Sequence, residues 1–125
     1  MKFELVYPEN FGKKYSTNKY YEGKNIHARN RDKDDWHGWV WEALYRMKVP
    51  KIPVDYPVEL VFSFDDRLDC SNHSIVAKMI EDALKGWLIQ DDTRKWVKRV
   101  VYEFNHQKKI IVEVRRYESG VEIAM

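Results

Sequence analysis

The stretch from Arg67 to Asp92, RLDCSNHSIVAKMIEDALKGWLIQDD, carries the decision about the fold. Ile75, Val76, Met79, Ile80, Ala83 and Leu84 recur at helical spacing. They predict a helix from Ser71 or Asn72 to Lys85 with that stripe buried. Gly86 is the expected stop, since glycine adopts the left-handed conformation that closes a helix. Steps of three, four and seven residues nearly superimpose on a helix, so Ser71, Ser74, Lys78 and Asp82 share a second, polar stripe. Asp69 stands before the helix and Asp91–Asp92 after it. This pattern suits either charges covering an ordinary solvated helix or a chain that folds both ends around a metal ion.

Working outward, KFELVY alternates and predicts a strand with Phe3, Leu5 and Tyr7 on its apolar side; PVELVFSF predicts a second, with Val58, Leu60, Phe62 and Phe64 facing one way. From Pro8 to about Ile26 the chain is polar without helical period, which predicts a long loop. Asn30, Asp32 and Asp34 are candidate caps for a helix whose core stripe is Trp36, Val40, Ala43, Leu44 and Met47. Trp39, Trp41 and Tyr45 fall off that stripe and point to a second burial surface, and Gly38 to a close backbone approach. Beyond Gln90–Thr93 the pattern predicts a hairpin turning at Asn105–Gln107. Its core side would carry Trp96, Val100, Tyr102 and Phe104 on one strand and Ile110, Val112 and Val114 on the other. The tail ESGVEIAM alternates weakly, as a short edge strand does. Together these elements predict one α+β domain over residues 1–125, a mainly antiparallel or mixed sheet with two helices packed on one face.

The 125 residues are 44% hydrophobic and 34% charged, with a net charge of +2, the composition of a globular chain. No apolar run has membrane-spanning length, Met1 leads straight into strand-like sequence, and Cys70 is the one cysteine. The expectation is a cytoplasmic protein without a disulfide framework. Charge is distributed unevenly. Residues 12–31 hold six bases against one acid, residues 94–116 eight bases against two acids, and residues 65–92 seven acids against three bases. An acidic centre between basic arms suits a protein that grips a polyanion and sets a metal ion against it; basic strand edges that discourage aggregation produce a similar pattern.

If the hairpin paired beside the second strand, Asp69 and Asp92 would share one mouth with Lys78 between them. Magnesium takes oxygen ligands, often one or two carboxylates with water and phosphate oxygens. A lysine beside it stabilises developing charge, and helix-start N–H groups at Ser71–Ser74 would face an anion. That chemistry is phosphodiester hydrolysis. The same lysine also fits an ordinary i,i+4 pair with Asp82.

Asp69-x-x-Asn72, Lys78, Asp82-Ala83-Leu84 and Leu88-Ile89-Gln90-Asp91-Asp92 together resemble the signature of the RusA-type Holliday junction resolvases. These are small, often prophage-borne endonucleases that act on four-way DNA junctions as homodimers with magnesium. The likeness covers about residues 67–100, with a weaker one at Ser16-Thr17-Asn18-Lys19-Tyr20-Tyr21. It implies Asp69, Asp92 and the supporting Asp91 as metal ligands and catalytic residues, with Lys78 as the catalytic lysine. Two features depart from the family pattern: Ser71 stands where the family carries its second aspartate, and the gap from Asn72 to Lys78 is three residues longer. Losing that carboxylate weakens metal binding unless Asp65, Asp66 or His73 substitutes; the reading remains an active enzyme, with a catalytically degenerate binder of branched DNA as the alternative.

Lys13, Lys14, Asn18, Lys19, Arg29, Arg31, Arg94, Lys95 and Lys98 are the candidate DNA contacts, with Tyr15, Tyr20 and Tyr21 placed either to stack on unpaired bases or to pack on the tryptophan helix. Cys70 lacks a base partner and is expected as a small buried side chain. His27, His37 and His106 share no metal-ligand spacing.

Overall fold

The computed structural model describes residues 1–20 and 24–118. Tyr21 and the tail strand expected after Glu118 lie outside them.

Strand β1, Lys2–Leu5, buries Phe3 and Leu5 and exposes Lys2 and Glu4, as strand alternation dictates. Tyr7, expected on the same strand, lies beyond its end. The segment read as one long loop contains two short helices, α1 (Phe11–Tyr15) and α2 (Thr17–Tyr20). They bury Phe11, Tyr15 and Tyr20, spaced too irregularly for a period to show. Tyr15 packs edge-on against Trp36, ring centroids 5.3 Å apart. Both described tyrosines of this segment therefore belong to the core, and stacking on bases does not fit them.

Helix α3 spans Ile26–Arg46 and begins earlier than the caps at Asn30, Asp32 or Asp34 predict. Asn25 is the cap: its side-chain oxygen accepts from Ala28 N at 2.9 Å. The first turns carry no apolar stripe for a sequence pattern to detect. Trp36, Val40, Ala43 and Leu44 form the buried stripe, but Met47 is exposed. The helix ends at Arg46, and Lys48 turns left-handed to send Val49 inward instead. Gly38 has open space around it, so no close backbone approach explains it. Trp41 finds its burial within the chain: its indole N–H donates to Ala83 O at 2.7 Å, and its ring meets Trp87 at 5.1 Å.

Strand β2, Val58–Phe64, leads through a 3-10 turn at Cys70–His73 into α4, Ser74–Leu84. Gly86 takes φ +78°, the predicted left-handed stop. Strands β3, Val97–Phe104, and β4, Ile110–Arg116, complete a sheet ordered β1-β4-β2-β3. β4 runs antiparallel to both β1 and β2, while β3 runs parallel to β2. The sheet is mixed, and α3 and α4 cover the face carrying Leu60, Phe62, Phe64 and Val112. Fully burying each of these large side chains stabilises the fold by roughly 1.5–3 kcal/mol.

The expected hairpin is the main correction. β2 lies between β3 and β4, and residues 105–109 pass over its end. Asn105 N donates to Phe64 O at 2.8 Å, Asn105 Nδ2 to Ser63 Oγ at 3.0 Å, and Lys108 N to Asp65 Oδ2 at 2.8 Å. β3 is consequently an edge strand, and its helix-side residues Val100 and Phe104 are 40% and 51% exposed instead of sealed in the core. Among the described residues no helix is long and apolar enough to cross a membrane.

Candidate functional site

Helix α4 has a polar side that meets different partners at its two ends. At the head, α2 docks through side chains rather than apolar area. Thr17 Oγ1 lies 3.0 Å from Ser74 Oγ and accepts from Ile75 N at 3.2 Å; Asn18 N donates to Asn72 Oδ1 at 2.9 Å. Asn72 N donates to Asp69 O. One of the N–H groups expected to face an anion, that of Asn72, is therefore occupied within the chain, as is the next one along, Ile75 N. Thr17 and Asn18 of the weaker likeness thus meet Asn72 and Ser74 of the 67–100 stretch here.

Further along, Lys78 Nζ donates to Asp92 Oδ2 at 2.7 Å and lies 3.2 Å from Asp82 Oδ1. Lys85 Nζ joins the same two carboxylates, at 3.1 Å from Asp92 and 3.5 Å from Asp82. The hydrogen bond to Asp92 holds the Lys78 ammonium well above the ordinary lysine range, and the one from Lys78 holds the Asp92 carboxyl well below the carboxylate range. Asp91 Oδ1 accepts from Asp92 N at 2.8 Å and shapes the turn. Glu81, alongside, is raised, first by burial and then by the charges of Asp92 and Asp82 against the pull of the two lysines.

Asp69 does not join this group. Because β3 is parallel to β2, its start pairs beside Val58, at the opposite end of β2 from the loop carrying Asp69. Helix α4 separates the two ends by about 16 Å of axial rise. Asp69 is exposed and makes no side-chain cap. Among the described residues no group of three or more His, Cys, Asp or Glu side chains is arranged to hold a metal, so the trio Asp69, Asp91 and Asp92 is not assembled. Carboxylate oxygens suit magnesium in kind, and two can suffice when water and phosphate complete the shell. Asp82 and Asp92 share the same two lysine partners, Lys78 and Lys85. The expected i,i+4 pair of Lys78 with Asp82 is present, whereas Lys85 was missed. Its signal was there: Lys85 stands three residues beyond Asp82 and seven beyond Lys78.

The proposed substitute ligands are bound elsewhere. His73 is fully buried, stacked on Phe64 with centroids 3.9 Å apart. Its Nε2 lies 2.8 and 2.9 Å from the two Asp66 oxygens, and its Nδ1 3.0 Å from Cys70 O. Both ring nitrogens face oxygen atoms. Asp66 also accepts from Tyr7 OH at 2.7 Å, and Tyr7 OH accepts from Asp65 N at 2.8 Å. His73 is thus a core residue that anchors the start of α4 to β2. Cys70 is half-buried beside it.

Lys13, Lys14, Asn18, Lys19 and Arg31 are exposed near the head of α4, and Arg94, Lys95 and Lys98 are exposed before and at the start of β3. Arg29 is half-buried, its Nε donating to Lys24 O at 3.0 Å, and is poorly placed to grip DNA. Lys24 pairs with the buried Asp32. No protein-family model matches the chain, and no curated protein matches it.

Proposed function

We propose that this chain is a magnesium-dependent, structure-selective endodeoxyribonuclease that hydrolyses phosphodiesters at branched DNA such as a four-way junction. The observation that carries the reading is the convergence of Lys78 and Lys85 on Asp82 and Asp92. The four charges cancel, so the group is balanced only while no substrate is present. A divalent cation would balance the two carboxylates, and a phosphodiester would take up one of the two ammonium charges, leaving the other for a neighbouring phosphate of the strand. Magnesium, when bound, supplies Lewis-acid polarisation of the phosphodiester and of water. Asp82 and Asp92 would hold it. Lys78 orients Asp92 beforehand and then neutralises charge developing on the phosphate oxygens. The exposed bases at 13, 14, 19 and 31 and at 94, 95 and 98 would follow the DNA backbone, with binding that weakens steeply as salt rises. The resemblance adds a homodimer cutting two opposed strands, and the lone Cys70 suggests the reducing cytoplasm as its place.

A second reading, a catalytically degenerate binder of branched DNA, is favoured by one observation. Ser71 replaces a carboxylate, and Asp65, Asp66 and His73 are each bonded elsewhere. A labelled four-way junction beside linear duplex, with magnesium or with EDTA, separates the two. The nuclease reading expects nicking of the junction only with magnesium, and a loss of about 100-fold in Asp92→Asn. Junction binding without nicking establishes the binder, and equal affinity for junction and duplex defeats both.

A further inference from the structure

The end of helix α3 and the turn after it carry a third basic surface. Residues 43–54 hold Arg46, Lys48 and Lys51 and no acid. Tyr45 is 79% exposed, and with Arg46, Lys48 and Val49 it borders an open recess of about 470 Å³. Arg46 has only a loose contact of 3.6 Å with the exposed Glu42, and Lys48 has no ion-pair partner among the described residues. Lys48 also stands in left-handed backbone, φ 57°. Glycine adopts that conformation at a helix end without strain. A lysine there costs stability, and no contact of its ammonium offsets that cost.

The turn is fixed against the segment that leads to Asp92. Trp87 Nε1 donates to Val49 O at 3.1 Å, Val54 N donates to Leu88 O at 3.0 Å, and Gln90 Nε2 donates to Val54 O at 3.2 Å. Between these anchors Lys51 Nζ lies 4.1 Å from the centre of the Trp41 ring. Residues 87–90 join Lys85 to Asp91 and Asp92, so the basic surface is held beside the charged group of Lys78, Lys85, Asp82 and Asp92.

We propose that this surface binds an unpaired DNA strand, with Arg46 and Lys48 on the phosphates and the Tyr45 ring stacked on a base. Cations without acids select a polyanion. An exposed aromatic ring among them selects one whose bases are free to stack, which a single strand offers and a duplex does not. A membrane surface fits less well, because the exposed apolar groups Tyr45, Met47 and Ile52 stand singly among the bases and form no continuous apolar face. The substrate class that follows is branched DNA carrying an unpaired arm, such as a splayed fork, bound more tightly than the same branch fully paired. That consequence for cleavage rests on the nucleolytic reading; affinity for the strand itself does not.

The test is fluorescence anisotropy in EDTA with a short labelled oligothymidylate, repeated over a range of salt. The native chain is expected to bind it, Tyr45→Ala about tenfold more weakly, and Tyr45→Phe as the native chain does, since the ring and not the hydroxyl stacks. Lys48→Gly is expected to bind more weakly, with a salt slope smaller by about 0.7, the value of one lost phosphate contact on a single strand. Its urea midpoint should not fall, because glycine relieves the left-handed turn. No binding by the native chain overturns the proposal, as do equal affinities of native and Tyr45→Ala, an unchanged slope in Lys48→Gly, or binding to phosphatidylserine vesicles in place of the oligonucleotide. With magnesium, nicking of a splayed fork is then compared with nicking of a fully paired junction. Nicking of the fork that is indifferent to Tyr45→Ala rejects the surface and leaves the nuclease reading standing. Strand binding that depends on Tyr45, with neither DNA nicked, rejects the nuclease reading and leaves the surface standing.

Discussion

Lys78 Nζ donates to Asp92 Oδ2 at 2.7 Å although 14 positions separate the two residues. Exposed ion pairs contribute little, so Lys78→Met is expected to cost about 0.5 kcal/mol at neutral pH. The pH dependence is more informative. The Asp92 pKa is lowered in the fold, so its contribution is present above the ordinary carboxylate pKa, about 3.9, and is lost as pH falls through the folded value. The Lys78 pKa is raised, so its contribution is complete below about 10.4 and is lost as pH rises through the folded value. Urea unfolding of native and variant proteins should differ by a constant amount between these limits and converge beyond them. An NMR titration should also show the Asp92 carboxyl moving up toward its ordinary range in the variant.

Asp66 and Asp69 lie three residues apart with opposite burdens. Asp66→Ala strands the buried His73 and the Tyr7 hydroxyl, and about 3 kcal/mol of stability should be lost. Asp69→Ala removes an exposed side chain and should stay within about 0.5 kcal/mol of the native protein. Equal midpoints for the two in urea would show that Asp66 is not the anchor of the α4 start.

Tyr7→Phe removes a hydroxyl that donates to Asp66 and accepts from Asp65 N. Burial first, and the bond to Asp66 second, hold the native phenol far above its usual range, so it stays protonated throughout the accessible pH range. A loss of about 1–2 kcal/mol is expected by thermal or urea unfolding, with no dependence on pH across neutrality.

Thr17→Val keeps the shape of the side chain and deletes the oxygen that accepts from Ile75 N. The Ile75 amide should exchange with solvent markedly faster, and stability should fall by about 1 kcal/mol. An unchanged Ile75 exchange rate would mean that α2 does not hold the head of α4.

Glu81 behaves oppositely to Asp92. Burial raises its carboxyl in the fold, so ionisation disfavours the native state as pH climbs above the unfolded value, about 4.3. Glu81→Gln removes that cost. It is expected to leave stability unchanged at acid pH and to raise it by a few tenths of a kcal/mol at neutrality, measured by thermal unfolding.

Local pattern already determined much of this molecule. The apolar period of Ile75–Leu84, the alternation of β2 and β4, the stop at Gly86 and the stripe Ser74–Lys78–Asp82 are all relations between neighbours along one element, and backbone geometry makes these readable without knowing what packs against them. Strand order is a different kind of fact. The chain between β3 and β4 is short enough for a hairpin, and only the bonds from Asn105 and Lys108 to the end of β2 show that another strand lies between them. That insertion turned β3 parallel to β2, separated Asp69 from Asp92, and left Asp82 and Lys85 to complete the charged group. Burial likewise reassigned His73 from a candidate substitute ligand to a core anchor, because seven residues of loop and turn bring it onto Asp66 in a way no periodicity encodes. Spacing along a helix or strand sets which side chains share a face; which faces and ends then meet depends on how the sheet closes, a balance among contacts between residues far apart in the chain.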